Sequence, residues 1–353
     1  MNTYDVIIIG GGQSALATAY FLKRENISFL ILDSNIGPGG AWTHTWNSLK
    51  LFSPKEYSSL PGWMMPPTKE TYPSKKEIIN YLSEYEKRYE FEVKRPFKVK
   101  DVIFREEKFI VSTDMGEFTS KAVISATGNW SGPFIPNYKG IETFQGDQIH
   151  SAFYQDADSY RGKRVLVVGG GNSGAQILAE VSKCAETIWV TRETPEFLPD
   201  DVDGRYLFNL ATKKYQAMLK GEKIEEAYNL AKIVMIDSVK EARDRNILQA
   251  KPPFVEIRNN SVFWADGTEE KIDSIIWCTG FKSKLDHLAS LNIINKEGKA
   301  DTKDSRSLKR PGLWLVGYGD WTGFASATLI GVQRTAKQTA KEVKQYLETN
   351  AKS

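Results

Sequence analysis

"VVGGGNSGAQ" (Val167 to Gln176) repeats a pattern that the chain has already used in "IIGGGQSALA" (Ile8 to Ala17). In each copy an apolar, strand-like run enters a glycine-rich turn and leaves into a helix-like stretch. "YDVIIIG" leads into Gly10-x-Gly12-x-x-Ala15 and a helix from Ser14 to about Lys23. "KRVLVVG" leads into Gly169-x-Gly171-x-x-Gly174 and a helix through about Lys183. Glycine lets the backbone turn tightly and approach phosphate oxygens, while the helix N-terminus offers free N–H groups and the positive end of its dipole. One such loop is weak evidence, because a glycine turn before a packing helix has the same letters. Two in the same strand–loop–helix–strand context are strong evidence for dinucleotide binding.

Working outward, the next strand of each copy ends 23 residues after its first glycine, "SFLILD" at Asp33 and "TIWVTR" at Arg192. Each copy closes on an apolar strand followed by Thr-Gly, "AVISATG" to Gly128 and "SIIWCTG" to Gly280. The pattern predicts an α/β fold of two Rossmann-like, three-layer domains with parallel sheets, the second inserted into the first. The expected boundaries are 1–157 and 281–353 for the first domain and 158–280 for the second. Between Pro195 and Pro253 the periodicity turns helical, with Gly221 as a break, so an insertion at about 195–253 is expected. The tail from Ala325 to about Thr349 reads as one long helix.

Composition removes several classes of function. Lys plus Arg number 47 against 44 Asp plus Glu in 353 residues, with no long run of one sign, so nothing suggests nucleic acid. Apolar runs of five to seven residues fall short of the roughly 20 a membrane span needs. With the first strand starting by Tyr4, no room is left for a signal peptide, and a cytoplasmic protein is expected. Cys184 and Cys278 are the only cysteines and form no CxxC pair, which argues against a disulfide framework, a cysteine zinc site and a dithiol relay. "PDDVDG" (Pro199 to Gly204) departs from a calcium loop at Arg205 and reads as an acidic turn or helix cap, so no metal site is predicted.

The residue ending the second strand reads the adenosine ribose, a carboxylate accepting from ribose hydroxyls and an arginine pairing with a 2′-phosphate. Asp33 therefore suits FAD or NAD in the first slot, and Arg192 suits NADPH in the second, with Glu193 beside it leaving NADH open. Asp320, after "GLWLVG", suits a ribitol hydroxyl, and a helix N-terminus near Phe324 would face the flavin's pyrimidine edge. The residues expected around the first slot are Gly10, Gly12, Gln13, Ser14, Ala15, Asp33, Ser34, Gly40, Trp42, Thr127, Gly128 and Asp320. Those expected around the second are Gly169, Gly171, Asn172, Ser173, Gly174 and Arg192.

Further stretches make the chain resemble the bacterial flavin-containing monooxygenases, class B flavoprotein monooxygenases with FAD and NADPH sites on one chain. The likeness is to their short members and to oxidoreductases associated with cation efflux, and it covers nearly the whole chain. It rests on both glycine loops, "GGAW" (Gly39 to Trp42), "SLKLFSPKEYSSLPG" (Ser48 to Gly62), "FLPDDVDGR" (Phe197 to Arg205) and "GYGDWTG" (Gly317 to Gly323). "FQGDQIHSAFY" matches the family fingerprint from Phe144 through His150 to Tyr154, with Gln155 where Lys or Arg is usual. A linker histidine is more often a structural hydrogen-bonder, and the resemblance agrees.

The resemblance implies that NADPH passes hydride to FAD and that a C4a-(hydro)peroxyflavin formed with O2 oxygenates small sulfides, amines or ketones. Sulfoxidation, N-oxidation and Baeyer–Villiger insertion are the implied reactions, with O2 and a small molecule as partners; a homodimer is possible. Asn172 would place an amide near the nicotinamide if the slots meet, or would cap its helix. Trp42 and Trp46 would wall the isoalloxazine or belong to the core. Phe52 stands where strongly oxygenating members carry an asparagine amide, which implies slow, partly uncoupled turnover. Two other readings stay open: an NAD(P)H:acceptor oxidoreductase using a quinone or metal ion, and a non-enzymatic redox-sensing or transport-accessory flavoprotein.

Overall fold

The unbroken apolar letters of "TYDVIII" form β1 (Thr3–Ile9), whose Val6 to Ile9 are buried on both faces, as a central parallel strand requires. The computed structural model describes residues 3–220, 222, 232–323 and 325–351. It divides into two units, Met1–Thr43 with Ser53–Gly132 and Lys282–Ser353, and His44–Phe52 with Pro133–Phe281.

In the first unit β1 leads through α1 (Gln13–Arg24) to β2 (Phe29–Leu32), then through α2 (Lys75–Arg88) to β3 (Val93–Lys94). The meander of β4 (Val99–Arg105), β5 (Lys108–Thr113) and β6 (Gly116–Ser125) follows. After the second unit come β15 (Thr302–Lys303), β16 (Arg306–Ser307), β17 (Leu313–Leu315) and α6 (Val332–Asn350). The parallel core runs β17-β6-β1-β2-β3, with β4 and β5 antiparallel beyond β6. Ile7, Ile9, Leu30, Leu32 and Val123 on one face pack against Val102, Phe109 and Val111 of the meander.

The second unit repeats this plan. Its elements are β7 (Asp147–His150), β8 (Arg164–Val168), α3 (Asn172–Val181), β9 (Glu186–Val190), α4 (Gly204–Lys220), α5 (Asp237–Asp244) and β10 (Ala250–Lys251). They are followed by β11 (Glu256–Arg258), β12 (Ser261–Phe263), β13 (Glu269–Lys271) and β14 (Ser274–Trp277). The parallel order β10-β9-β8-β14-β7 matches β3-β2-β1-β6-β17 place for place. Alternation along β8 divides two cores: Val165 and Val167 join α3 and α5 residues, while Leu166 and Val168 join Phe254, Val262 and Trp264. Each unit is thus a parallel sheet between helices and an antiparallel β layer.

Four boundaries differ from those read in the sequence, one of them by a single residue, since the second unit ends at Phe281 and not at Gly280. The chain enters the second unit at Pro133, because β7 pairs with β14 and the Phe134 N–H donates to the Gly280 carbonyl. Residues 44–52 also belong to it, carried by Trp46 and Leu49 in its core. The final helix starts at Val332 rather than Ala325, since Gly323 and Ala325 have φ of 133° and 55° and turns occupy the residues up to Gly331. The helix start expected near Phe324 therefore does not form there, and Phe324 itself lies outside the described residues. Within the expected helical insertion α4 and α5 form, while the break at Gly221 also falls outside them.

Candidate functional site

Each glycine loop is tied to the strand beside the one it follows, β2 in the first unit and β9 in the second. The Gly10 N–H donates to the Leu32 carbonyl and the Gly169 N–H to the Val190 carbonyl, each at 2.8 Å. Gly10 has φ +102°, and a side chain there would press on the Ala126 carbonyl at 2.6 Å; Gly169 has φ +136° and stands likewise over the Cys278 carbonyl. Above the loops there is space. A Cβ at Gly171 would meet nothing within 4 Å, and one at Gly12 only Gly40 Cα at 3.8 Å. These two glycines are the N-caps of α3 and α1, and neither helix has a side-chain cap, so their first N–H groups are left to an incoming anion. The cradles fit the pyrophosphate of a dinucleotide.

Around the first loop, Gly40 (φ +54°) lies so close that a Cβ would stand 2.7 Å from Gly12 Cα. The Trp42 indole N–H donates to Gln13 Oε1 at 2.9 Å, and Gln13 Nε2 donates to the Ala327 carbonyl at 2.7 Å. Ser14 and Ala15 are buried in α1, with Ser14 against Gly317, whereas Ser34 is exposed. Asp33, 2 % exposed, is clamped. Its Oδ2 accepts from Arg95 Nε at 2.7 Å, and its Oδ1 accepts from the Asn35 backbone and side chain. The other two nitrogens of Arg95 reach Glu86 at 2.9 and 2.6 Å. Burial opposes the charged guanidinium, but hydrogen bonds to Glu86 and Asp33 outweigh it and raise the Arg95 pKa.

Arg95 and Glu86 were not anticipated from the sequence, although a signal was present. "VKRPF" (Val93 to Phe97) and "AKPPF" (Ala250 to Phe254) are the third strands of the two copies, with arginine in one where the other has Pro252.

The same register corrects the equivalence of Asp33 and Arg192. Leu32 and Val190 occupy matching places, and the next residues, Asp33 and Thr191, donate their N–H groups to Lys94 and Lys251. A side chain at Gly11 would meet Asp33, and one at Gly170 would meet Thr191. The strand-end residue of the second slot is thus buried Thr191. Arg192 stands one place beyond, 89 % exposed, with Glu193 Oε1 at 3.5 Å. The equal spacing misled because the second copy reaches its strand end one residue sooner.

Asn172 is the first residue of α3 rather than its cap, and its amide is used across the unit: Oδ1 accepts from Val234 N at 2.8 Å and Nδ2 donates to the Lys232 carbonyl. Ser173 follows, half-buried, and a side chain at Gly174 would strike the Gly169 carbonyl, the helix–strand closeness for which a third glycine is needed. Trp46 is buried in the core of the second unit beside Tyr154. Phe52 stacks on Phe208 at 6.3 Å and packs against Leu198, Val202, Leu207 and Val234. His150 is buried, with Nδ1 accepting from the Ala152 N–H and Nε2 against the Gly280 carbonyl at 2.9 Å, a structural role.

At the end of β6, Thr127 backs the first loop and Gly128 has φ +66°. Exposed Asp320 opens a short 3-10 turn, with Oδ1 accepting from the Ala325 N–H. Among the described residues, no group of His, Cys, Asp and Glu could hold a metal ion, and no helix is long and apolar enough to cross a membrane.

Known proteins share this arrangement. The family model described as "Pyridine nucleotide-disulphide oxidoreductase" matches residues 7–317. A solved flavin-containing monooxygenase from Stenotrophomonas maltophilia is 45 % identical, with TM-score 0.90, over 98 % of this chain and 100 % of that one. A doubly substituted variant of the flavin monooxygenase from that organism is 46 % identical, with TM-score 0.91 over the same shares. An "uncharacterized oxidoreductase CzcO" of Bacillus velezensis is 30 % identical over 96 % of this chain and 99 % of its own length. The chain is an oxidoreductase of the flavin-containing monooxygenase kind with FAD and NADPH as cofactors, and it belongs to the pyridine nucleotide-disulphide oxidoreductase family.

Proposed function

We propose that the protein consumes NADPH and O2 to oxygenate small sulfides, amines or ketones, slowly and with part of the NADPH oxidised without product. The observation that carries this reading is the pair of matching slots with opposite charges at their rims, one at the strand end and the other one residue beyond it. Asp33, clamped and buried, suits the unphosphorylated ribose of FAD, and Arg192, solvated, suits the 2′-phosphate of NADPH. FAD supplies the redox and oxygen chemistry when bound, and the protein supplies binding, orientation and exclusion of water. Gly10, Gly12 and the start of α1 would hold its pyrophosphate, and Gly169, Gly171 and the start of α3 that of the nicotinamide donor. Phe52 supports a low yield, because a phenyl ring set among apolar neighbours offers an oxygenated group no hydrogen bond.

The test is oxygen uptake and NADPH consumption by the purified protein, with and without methyl aryl sulfides and small cyclic ketones. Sulfoxide or lactone in amounts below the NADPH consumed is expected, with the yield per NADPH rising in Phe52→Asn. Turnover only with an added quinone or metal ion would replace this reading with that of an acceptor reductase.

A further inference from the structure

Behind Thr127 three buried side chains join it in a hydrogen-bonded line that none of the chemistry above uses. His287 Nε2 stands 2.9 Å from Ser125 Oγ, which is 2.5 Å from the Tyr318 hydroxyl, which is 2.8 Å from Thr127 Oγ1. The Thr127 N–H also donates to the Tyr318 oxygen at 3.3 Å. His287, Ser125 and Tyr318 are buried, at 7 % exposure or less, and Thr127 alone is partly open. Thr127 Cα lies 3.0 Å from where a Cβ on Gly10 would stand, so the line ends directly behind the first glycine loop.

Each hydroxyl has one proton to give, so the line has a direction. When His287 Nε2 carries a proton, it donates to Ser125, Ser125 to Tyr318 and Tyr318 to Thr127. The Thr127 proton then has only the Lys284 carbonyl at 3.5 Å inside the protein and is available to an outside acceptor. When Nε2 is bare, every donation reverses, and Thr127 turns its proton inward to Tyr318, showing only lone pairs. The equivalent threonine of the second unit has no such choice, since Thr279 Oγ1 donates to the Phe134 carbonyl.

We propose that His287 is a positioning residue whose Nε2 proton, relayed through Ser125 and Tyr318, sets whether Thr127 offers the first slot a donor or an acceptor. A phosphate oxygen only accepts, so a dinucleotide phosphate at Thr127 holds His287 in its Nε2–H form. The inference rests on the first slot's being the FAD site. Burial favours a neutral His287 and so leaves the choice between two tautomers rather than a charge.

Nitrogen-15 NMR of the holoenzyme tests it, because the chain has just three histidines. His287 is assigned by its loss in His287→Gln, and His150, whose Nδ1 accepts from the Ala152 N–H, is an internal standard for the Nε2–H form. The expected result is an Nε2–H signal for His287; an Nδ1–H signal overturns the proposal whether or not any variant folds. FAD dissociation, followed by flavin fluorescence on dilution, gives the second readout. Tyr318→Phe and Thr127→Val are each expected to raise the FAD dissociation constant about fivefold to tenfold, the worth of one hydrogen bond, and the double variant no further. His287→Gln, which keeps a donor at Nε2, should retain most of the FAD affinity. Additive effects of Tyr318→Phe and Thr127→Val overturn the relay but leave the FAD site standing. A wild-type protein that binds no FAD overturns both.

Discussion

The two units carry the same five-strand parallel order and the same glycine turn, yet they treat the residue after the second strand in opposite ways. In the first, Asp33 is buried and gripped by Arg95, itself held by Glu86; in the second, Thr191 is buried and the charge has moved to Arg192 in solvent. The difference lies in one neighbouring position, where the third strand is followed by Arg95 in one copy and Pro252 in the other. A locked, desolvated carboxylate has little freedom left to lose on binding and suits a cofactor that stays. A solvated arginine must be ordered each time and suits one that comes and goes.

The sharpest way to break this comparison is to remove the clamp. Arg95→Met leaves buried Asp33 and partly buried Glu86 without the cation they share, and breaking a buried ion pair from one side costs roughly 3–5 kcal/mol. Urea unfolding should show a loss of that order, together with loss of bound FAD. Pro252→Ala at the matching place should change stability by less than about 1 kcal/mol. Equal effects at the two positions would show that the clamp is not what distinguishes the copies.

Acid should also strain the copies unequally. Burial pushes the His287 imidazole of the first unit down to about 4, against partial compensation from Asp286 and Asp101, and lowers that of His150 in the second. Between pH 4 and 6.5 the unfolded chain binds a proton at His287 that the folded one refuses, so stability rises with pH across this window. The expected span is roughly 3 kcal/mol. His287→Gln should remove that part of the slope from urea midpoints at pH 4.5 and 7.0. An unchanged slope would mean that His287 takes up its proton while folded.

The parts of the fold that were legible in the sequence are those set by local chemistry. Glycine spacing, apolar strand runs and the two Thr-Gly endings gave both sheets and the nesting of one unit in the other. What escaped depends on register and on distant partners. A one-residue difference in where the second strand ends moved Arg192 off the place of Asp33, and the pairing of Thr191 with Lys251 reveals it. Arg95 lies 62 residues from Asp33, and His287 lies 162 from Ser125, so no window of sequence joins them. The start of the last helix escapes a sequence pattern because the turn at Gly323 and Ala325 rests on backbone angles that alanine rarely adopts.

The third loop position sharpens the comparison further. The first copy has Ala15 there, buried in α1, while a side chain at Gly174 of the second would strike the Gly169 carbonyl. Gly174→Ala must push α3 off its strand, with an expected loss of roughly 1–3 kcal/mol and weaker nicotinamide binding. Ala15→Gly should cost only the helix penalty, about 0.5–1 kcal/mol. Thermal unfolding and NADPH titration of the two variants check the order; the reverse would mean that the loops are not packed as the register indicates.

The smallest effect is expected where the comparison began, at Arg192. Its side chain touches little besides Glu193, so Arg192→Ala should leave stability unchanged and act on the ligand alone. A guanidinium pairs with a phosphate and has no comparable partner on an unphosphorylated ribose. The KM for NADPH should therefore rise about tenfold, the scale of one charge-assisted hydrogen bond, with that for NADH little changed. Glu193→Ala should move NADPH the other way, because it removes a carboxylate that competes for Arg192 and repels the phosphate. If Arg192→Ala raises both KM values equally, phosphate reading belongs elsewhere in the second unit. The one-residue offset between Thr191 and Arg192 would then be a difference of backbone length with no consequence for the ligand.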